Sequence, residues 1–197
     1  MSDWSTYALS DFLMFSPQAY WRLVARYNDA WWPAQLLGAA AGLGLLVLPA
    51  RRDGGRRAAL LLLAAAWAWV GWAFHGQRYA EIFLGAPWLA ASFGVEATML
   101  AAAAFLRRAD AWPARAGVRA PGFVLLALAL SFPLLAPLAG RGWSEAEVFG
   151  WMPEPTALAT LGALLALPRC AIWLRALLAV VPALSLALGA ATRWLLA

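Results

Sequence analysis

The stretch Tyr27-Asn28-Asp29-Ala30-Trp31-Trp32-Pro33-Ala34-Gln35 marks where two kinds of sequence meet. Before it, within residues 17–29, Tyr20, Leu23, Val24 and Tyr27 recur at three- and four-residue steps, with Arg22, Arg26 and Asp29 off that stripe. This is the pattern of a helix with one apolar face. Ser16-Pro17 supplies an N-cap residue and then proline at the first helical position, where its missing N–H costs nothing. After the stretch the chain turns apolar. The spacing predicts an interfacial helix in an arm over 1–32, lying on a membrane or packed on a bundle. Trp32-Pro33 is then the elbow into the first apolar run.

Composition sets the solvent. Of 197 residues, 64% are hydrophobic and 13% charged, and the mean hydropathy is +0.69. A soluble domain carries roughly 25% charged residues, so about half of the usual water-facing charge is missing. Six apolar runs follow the arm, at about 33–50, 58–75, 87–106, 121–139, 152–168 and 170–191. Most approach the roughly 20 residues that cross a hydrocarbon core of about 30 Å. Helices satisfy their own backbone groups in lipid. The expected fold is an all-α polytopic membrane helical bundle, one domain over 1–197, with about six transmembrane helices plus the amphipathic arm.

Charge supplies the orientation. All the basic residues are arginine, and the net charge is +5. Loops 51–57 and 107–120 each hold four arginines and one aspartate, and Arg169 and Arg175 flank the last turn. The arm 1–32, loop 76–86 and loop 140–155 mix arginine with acids. The positive-inside rule puts the basic loops in the cytoplasm and both termini on the outer side of a bacterial inner (cytoplasmic) membrane. Arginines in short loops between apolar runs point to membrane orientation, not to nucleic acid. Pro168-Arg169 reads as a tight turn, because one helix kinked there would bury an arginine at a cost of at least ~2.5–3.5 kcal/mol. The N-terminus lacks the basic region of a cleaved signal peptide, and the single cysteine, Cys170, forms no internal disulfide. A three-plus-three inverted repeat finds no matching residues between 33–106 and 121–191.

With that topology the polar side chains converge at the outer ends of the runs. The candidate ligand-binding residues are Tyr27, Asn28, Trp32, Gln35, His75, Glu96, Glu154 and Thr156. Glu96 sits inside the third run. An intramembrane carboxylate marks a functional site by default; the alternative is a structural hydrogen bond to a neighbouring helix. His75, the only histidine, is either an interfacial hydrogen-bonding residue or a proton acceptor or single metal ligand beside Glu81, Glu96 or Glu154. Gly38 and Gly42 form a small-xxx-small pair, which signifies helix packing, and Pro133 and Pro137 predict a kink late in the fourth run. Trp67, Trp69 and Trp72 either pack against lipid or neighbouring helices or flank a ligand or pigment. Other tryptophans at run ends, Trp31, Trp32, Trp88, Trp112, Trp143, Trp151 and Trp194, fit an aromatic belt. No recognisable catalytic, phosphate-binding or dinucleotide motif is present, and the residues name no cofactor and no metal.

The order of motifs adds one further reading. Tyr27-Asn28…Trp32-Pro33-Ala34-Gln35, then Trp69…Gly71…His75, then Phe149-Gly150…Pro153…Pro155-Thr156, resembles a bacterial integral-membrane family, domain of unknown function 6064. The resemblance covers nearly the whole chain and implies a multi-pass bundle without a known activity. In that family a cysteine often precedes the Pro-Thr pair. Glu154 stands there in this chain, so no thiol chemistry is implied. Two functions are expected: small-solute or ion transport or binding through a polar outer pocket, and a non-catalytic accessory subunit of a larger respiratory, photosynthetic or efflux complex. A membrane enzyme using His75 and Glu96 as an acid–base pair ranks below both. The partners expected are the lipid bilayer and a membrane-protein partner or a second copy of the chain.

Overall fold

A computed structural model describes residues 15–50, 54–106, 116–167 and 171–196. All regular structure among the described residues is helical. Ser16 accepts a hydrogen bond from the Ala19 N–H at 3.2 Å and opens α1, Pro17–Trp31. α2 runs Gln35–Val47, α3 Gly55–Trp69, α4 Ala86–Phe105 and α5 Ala116–Ser131. The short α6, Leu135–Leu138, precedes α7, Pro153–Ala166, and α8, Ile172–Leu196. The elbow is real: α1 and α2 meet at 92° across Trp32-Pro33, whose peptide bond is cis. The break between α5 and α6 falls at Pro133, which has no N–H to continue the ladder.

The expected six spans become four, or five if the bent α1–α2 pair counts as one. Helices covering Gly55–Glu81, Ala86–Phe105, Arg119–Leu138 and Ile172–Trp194 are long and apolar enough to cross a membrane. α2 has 13 residues and α7 has 14, each about 20 Å long at 1.5 Å per residue. Neither reaches across a ~30 Å core alone. α7 is apolar for a different reason: it is wrapped by α5, α8 and α3 and is buried along almost its whole length. A helix surrounded by others needs an apolar surface all round, whatever its length.

Glycines set the tightest approaches. A Cβ on Gly122 of α5 would stand 2.7 Å from the Gly162 carbonyl oxygen of α7, and one on Gly162 would stand 2.8 Å from the Gly122 carbonyl. The two backbones touch through this pair. Gly38 and Gly42 are packing positions too, although mostly against a loop: Gly38 faces Phe149 and Trp151, and Gly42 faces Leu130 and Phe149. At the opposite end of the bundle, Arg56 donates to the Ala103 carbonyl at 2.8 Å and Arg175 to the Leu167 carbonyl at 2.8 Å. Each closes the C-terminal end of a neighbouring helix, where carbonyls lack partners. Of the expected basic loops, residues 51–53 and 107–115 lie outside the described residues, as do Pro168, Arg169 and Cys170.

Gly162→Ala should destabilise the purified chain by about 1–3 kcal/mol, read as a lower melting temperature in detergent. Gly44→Ala, where a Cβ meets nothing within 4 Å, should be neutral or stabilising by up to about 1 kcal/mol. Equal behaviour of the two variants would remove the close α5–α7 crossing.

Candidate functional site

The site lies where the loop between α6 and α7 folds inward. From Ala146 to Ala157 only Val148 keeps partial exposure. Buried loop backbone must find hydrogen-bond partners, and side chains from other elements provide them. Asn28 Nδ2 donates to the carbonyls of Ser144 at 2.7 Å and Ala146 at 2.9 Å. Gln35 Nε2 donates to the Asn28 carbonyl at 2.6 Å across the elbow. Thr156 Oγ1 accepts from the Gly150 N–H at 2.9 Å and donates to the Met152 carbonyl at 2.7 Å. Gly150 takes a φ of 76°, a left-handed conformation that favours glycine.

The same loop carries Glu147 to the end of α8. Arg193 Nη2 contacts both carboxylate oxygens of Glu147, at 2.6 and 2.8 Å. Glu154, in the first turn of α7, lies 4.0 Å from the same nitrogen, beyond hydrogen-bond reach. One guanidinium thus stands beside two carboxylates. Burial first, and then the Glu154 charge, push the Glu147 carboxyl up to about 7, against the pull of Arg193 and Arg141. Arg141 lies over the Trp21 ring at 3.4 Å and ties this loop to α1.

Beside the cluster is a cavity of about 330 Å³ walled by Tyr20, Phe74, His75, Tyr79, Ser92, Phe93, Glu154, Ser185 and Gly189, among others. His75 belongs to a widened, π-helical continuation of α3, Val70–Gly76, a local geometry frequent at functional sites. Gly71 lets this segment meet α4, since a Cβ there would stand 2.9 Å from the Phe93 Cβ. His75 is 4% exposed, and neither of its ring nitrogens has a hydrogen-bond partner. Its ring centroid is 4.5 Å from that of Phe93. Glu154 Oε2 is likewise buried and unpartnered.

The eight candidate residues do not form one site. His75 and Glu154 share this cavity. Asn28, Trp32 and Gln35 line a second one, about 600 Å³, with Pro133, Trp143 and Val148. Tyr27 is core: its hydroxyl accepts from Trp69 Nε1 at 3.2 Å and its ring packs on Phe74. Thr156 is committed to the loop. Glu96 is fully buried and stands in neither wall, with both carboxylate oxygens unpartnered. His75 and Glu96 are therefore not hydrogen-bonded to each other, which removes the geometry an acid–base pair needs. Among the described residues no three His, Cys, Asp or Glu side chains converge as metal ligands. Trp67 donates to Thr160 Oγ1 at 2.8 Å, and Trp69 packs against Trp31, Trp72 and Trp151.

Sequence reasoning passed over Arg193 and Gly189 and read Glu147 only as a loop charge. One signal was available for Arg193: it is a lone arginine at the end of a long apolar run. Tyr79 carried no signal, because only the fold brings it to Tyr20, with ring centroids 6.2 Å apart.

The architecture is thus an all-α bundle with four or five membrane-length helical units and, at one end, a largely apolar cavity with a few polar side chains in its wall. The chain belongs to the family described as "Family of unknown function (DUF6064)", whose model matches residues 17–194. No curated protein and no solved structure gives a significant match.

The raised Glu147 value has a consequence for stability. The fold favours the protonated carboxyl, so its contribution is complete below the unfolded value near 4.3 and is lost as pH rises toward about 7. The melting temperature of the wild type should therefore fall between about pH 4.3 and 7 more steeply than that of Glu147→Gln. Parallel curves for the two proteins would mean that Glu147 is an ordinary exposed acid.

Proposed function

We propose that this chain is a multi-pass protein of the cytoplasmic membrane that binds a small solute, for transport or sensing, in the cavity walled by His75 and Glu154. The observation that carries this reading is the pair of buried polar side chains with unused hydrogen-bonding atoms in one concave site. Buried polar groups are normally satisfied, and a mostly apolar cavity with a few convergent polar groups is the usual form of a ligand site.

Surface chemistry supports the membrane setting. Leu37, Val95, Leu128, Leu138 and Leu184 are exposed on the helix flanks, where water would disfavour them and lipid would not. Trp32, Trp88, Trp143 and Trp194 are exposed as well. All four belong to segments at the cavity end, as an interfacial aromatic belt requires. Helix ends closed by Arg56 and Arg175 lie at the other end, which on the positive-inside rule faces the cytoplasm. The cavity then opens to the outer side, with both termini.

The alternative role, an accessory subunit of a larger membrane complex, rests on the same exposed apolar flanks and is decided by the same experiment. Native mass spectrometry of the tagged full chain, extracted in mild detergent, should show a monomer or homo-oligomer carrying a non-covalent small molecule. Ser185→Trp, which fills the cavity, should abolish that added mass while leaving helicity intact. Stoichiometric protein partners with no small-molecule mass would overturn the solute reading in favour of the subunit.

A further inference from the structure

The charge on this cavity is unbalanced. Arg193 spends both close contacts on Glu147, and Glu154 is left at 4.0 Å. Arg193 and Arg141 both act on Glu147, whereas Glu154 is the one charged side chain in the cavity wall, where no Lys or Arg stands. An anionic solute would meet only negative charge there. Calcium or magnesium fits equally poorly, because these cations gather six or more oxygen ligands and most of this wall is ring and aliphatic carbon.

Glu154 is built into its position. A methyl group on Gly189 would lie 2.5 Å from Glu154 Oε1 and 2.8 Å from its Cγ. α8 is therefore cut away to the backbone where the carboxyl sits. Around it, aromatic rings from four elements, α1, the π-helical segment, the 3-10 turn Tyr79–Glu81 and α4, form one connected set. Tyr79 stacks on Phe74 at 5.6 Å, approaches Tyr20 at 6.2 Å, and His75 links Tyr79 to Phe93 at 5.8 and 4.5 Å. Electron-rich rings around a carboxylate attract a cation too weakly hydrated to prefer water.

We propose that the cavity takes an organic monocation, a protonated or quaternary amine, seated among Tyr20, Phe74, Tyr79 and Phe93 with Glu154 as its counter-ion. This rests on the solute-binding reading above and adds the chemical class. His75 has a free nitrogen for an N–H of a protonated amine, and the rings alone serve a quaternary one.

The test compares choline with 3,3-dimethyl-1-butanol, its neutral isostere, by isothermal titration calorimetry on the full chain purified in detergent. Choline should bind at least tenfold more tightly than the alcohol. Glu154→Gln should weaken choline at least tenfold and leave the alcohol unchanged; Tyr79→Leu should weaken choline severalfold. Because Glu154→Gln also touches the Arg193 cluster, Gly189→Ala provides a second route: it displaces the carboxyl without altering charge and should weaken choline as well. Equal binding of the two probes, or choline binding indifferent to Glu154→Gln and Gly189→Ala, would overturn the cation class and leave solute binding standing. Absence of binding by either probe would also overturn it, while the co-purified small molecule would still decide the broader reading.

Discussion

The cavity end of this protein depends on one constraint: a loop of about seven residues, 146–152, buried in a bundle with little water to satisfy its backbone. Each unsatisfied buried polar group costs free energy comparable to a lost hydrogen bond. Three helices contribute to relieving that cost. Asn28 from α1 holds the approach to the loop, Thr156 from α7 holds its middle, and Arg193 from α8 pairs with the Glu147 carboxyl that the loop carries inward. Glycines 38 and 42 of α2 leave the volume that Phe149 and Trp151 occupy. Asn28, Gly150, Thr156 and Arg193, far apart in the sequence, meet in this one set of contacts.

The larger cavity is lined in part by the loop, and the smaller one by the start of α7 just after it. Ser144, Ala146 and Val148 help to line the larger cavity with Asn28 and Gln35. In the smaller one, Pro153 and Glu154 face the aromatic rings of α1, the π-helical turn and α4. Asn28 Oδ1 and Gln35 Oε1 remain buried and unpartnered. Their amide nitrogens are committed to backbone carbonyls, so their first role is to hold the elbow and the loop.

The helices were legible in the sequence because apolar runs, prolines and the Ser16-Pro17 start are local signals. The arm Tyr20–Tyr27 reads from its three- and four-residue steps, and its elbow from Trp32-Pro33. The count of spans did not read correctly, because α7 is apolar for burial by neighbours, and run length alone does not distinguish that from lipid. Of the site, His75 and Glu154 were legible as rare polar residues at helix ends. Glu147, Arg193 and Gly189 were not, since an inward-folded loop has no periodicity and a glycine that seats a carboxyl looks like any other. Asn28 and Gln35 line a different cavity from His75, because their amide nitrogens are held by the backbone carbonyls of Ser144, Ala146 and Asn28.

Hydrogen–deuterium exchange of the amides of Gly150, Trp151 and Met152 in the detergent-solubilised full chain tests the central claim most directly. If the loop is a buried, hydrogen-bonded element, these amides exchange as slowly as the interior of α7. Thr156→Val should then release the Gly150 amide and its neighbours while α7 stays protected. Fast exchange in the wild type, at the rate of an open surface loop, would contradict the account, and with it the positioning of Glu147 and Glu154 at the cavity.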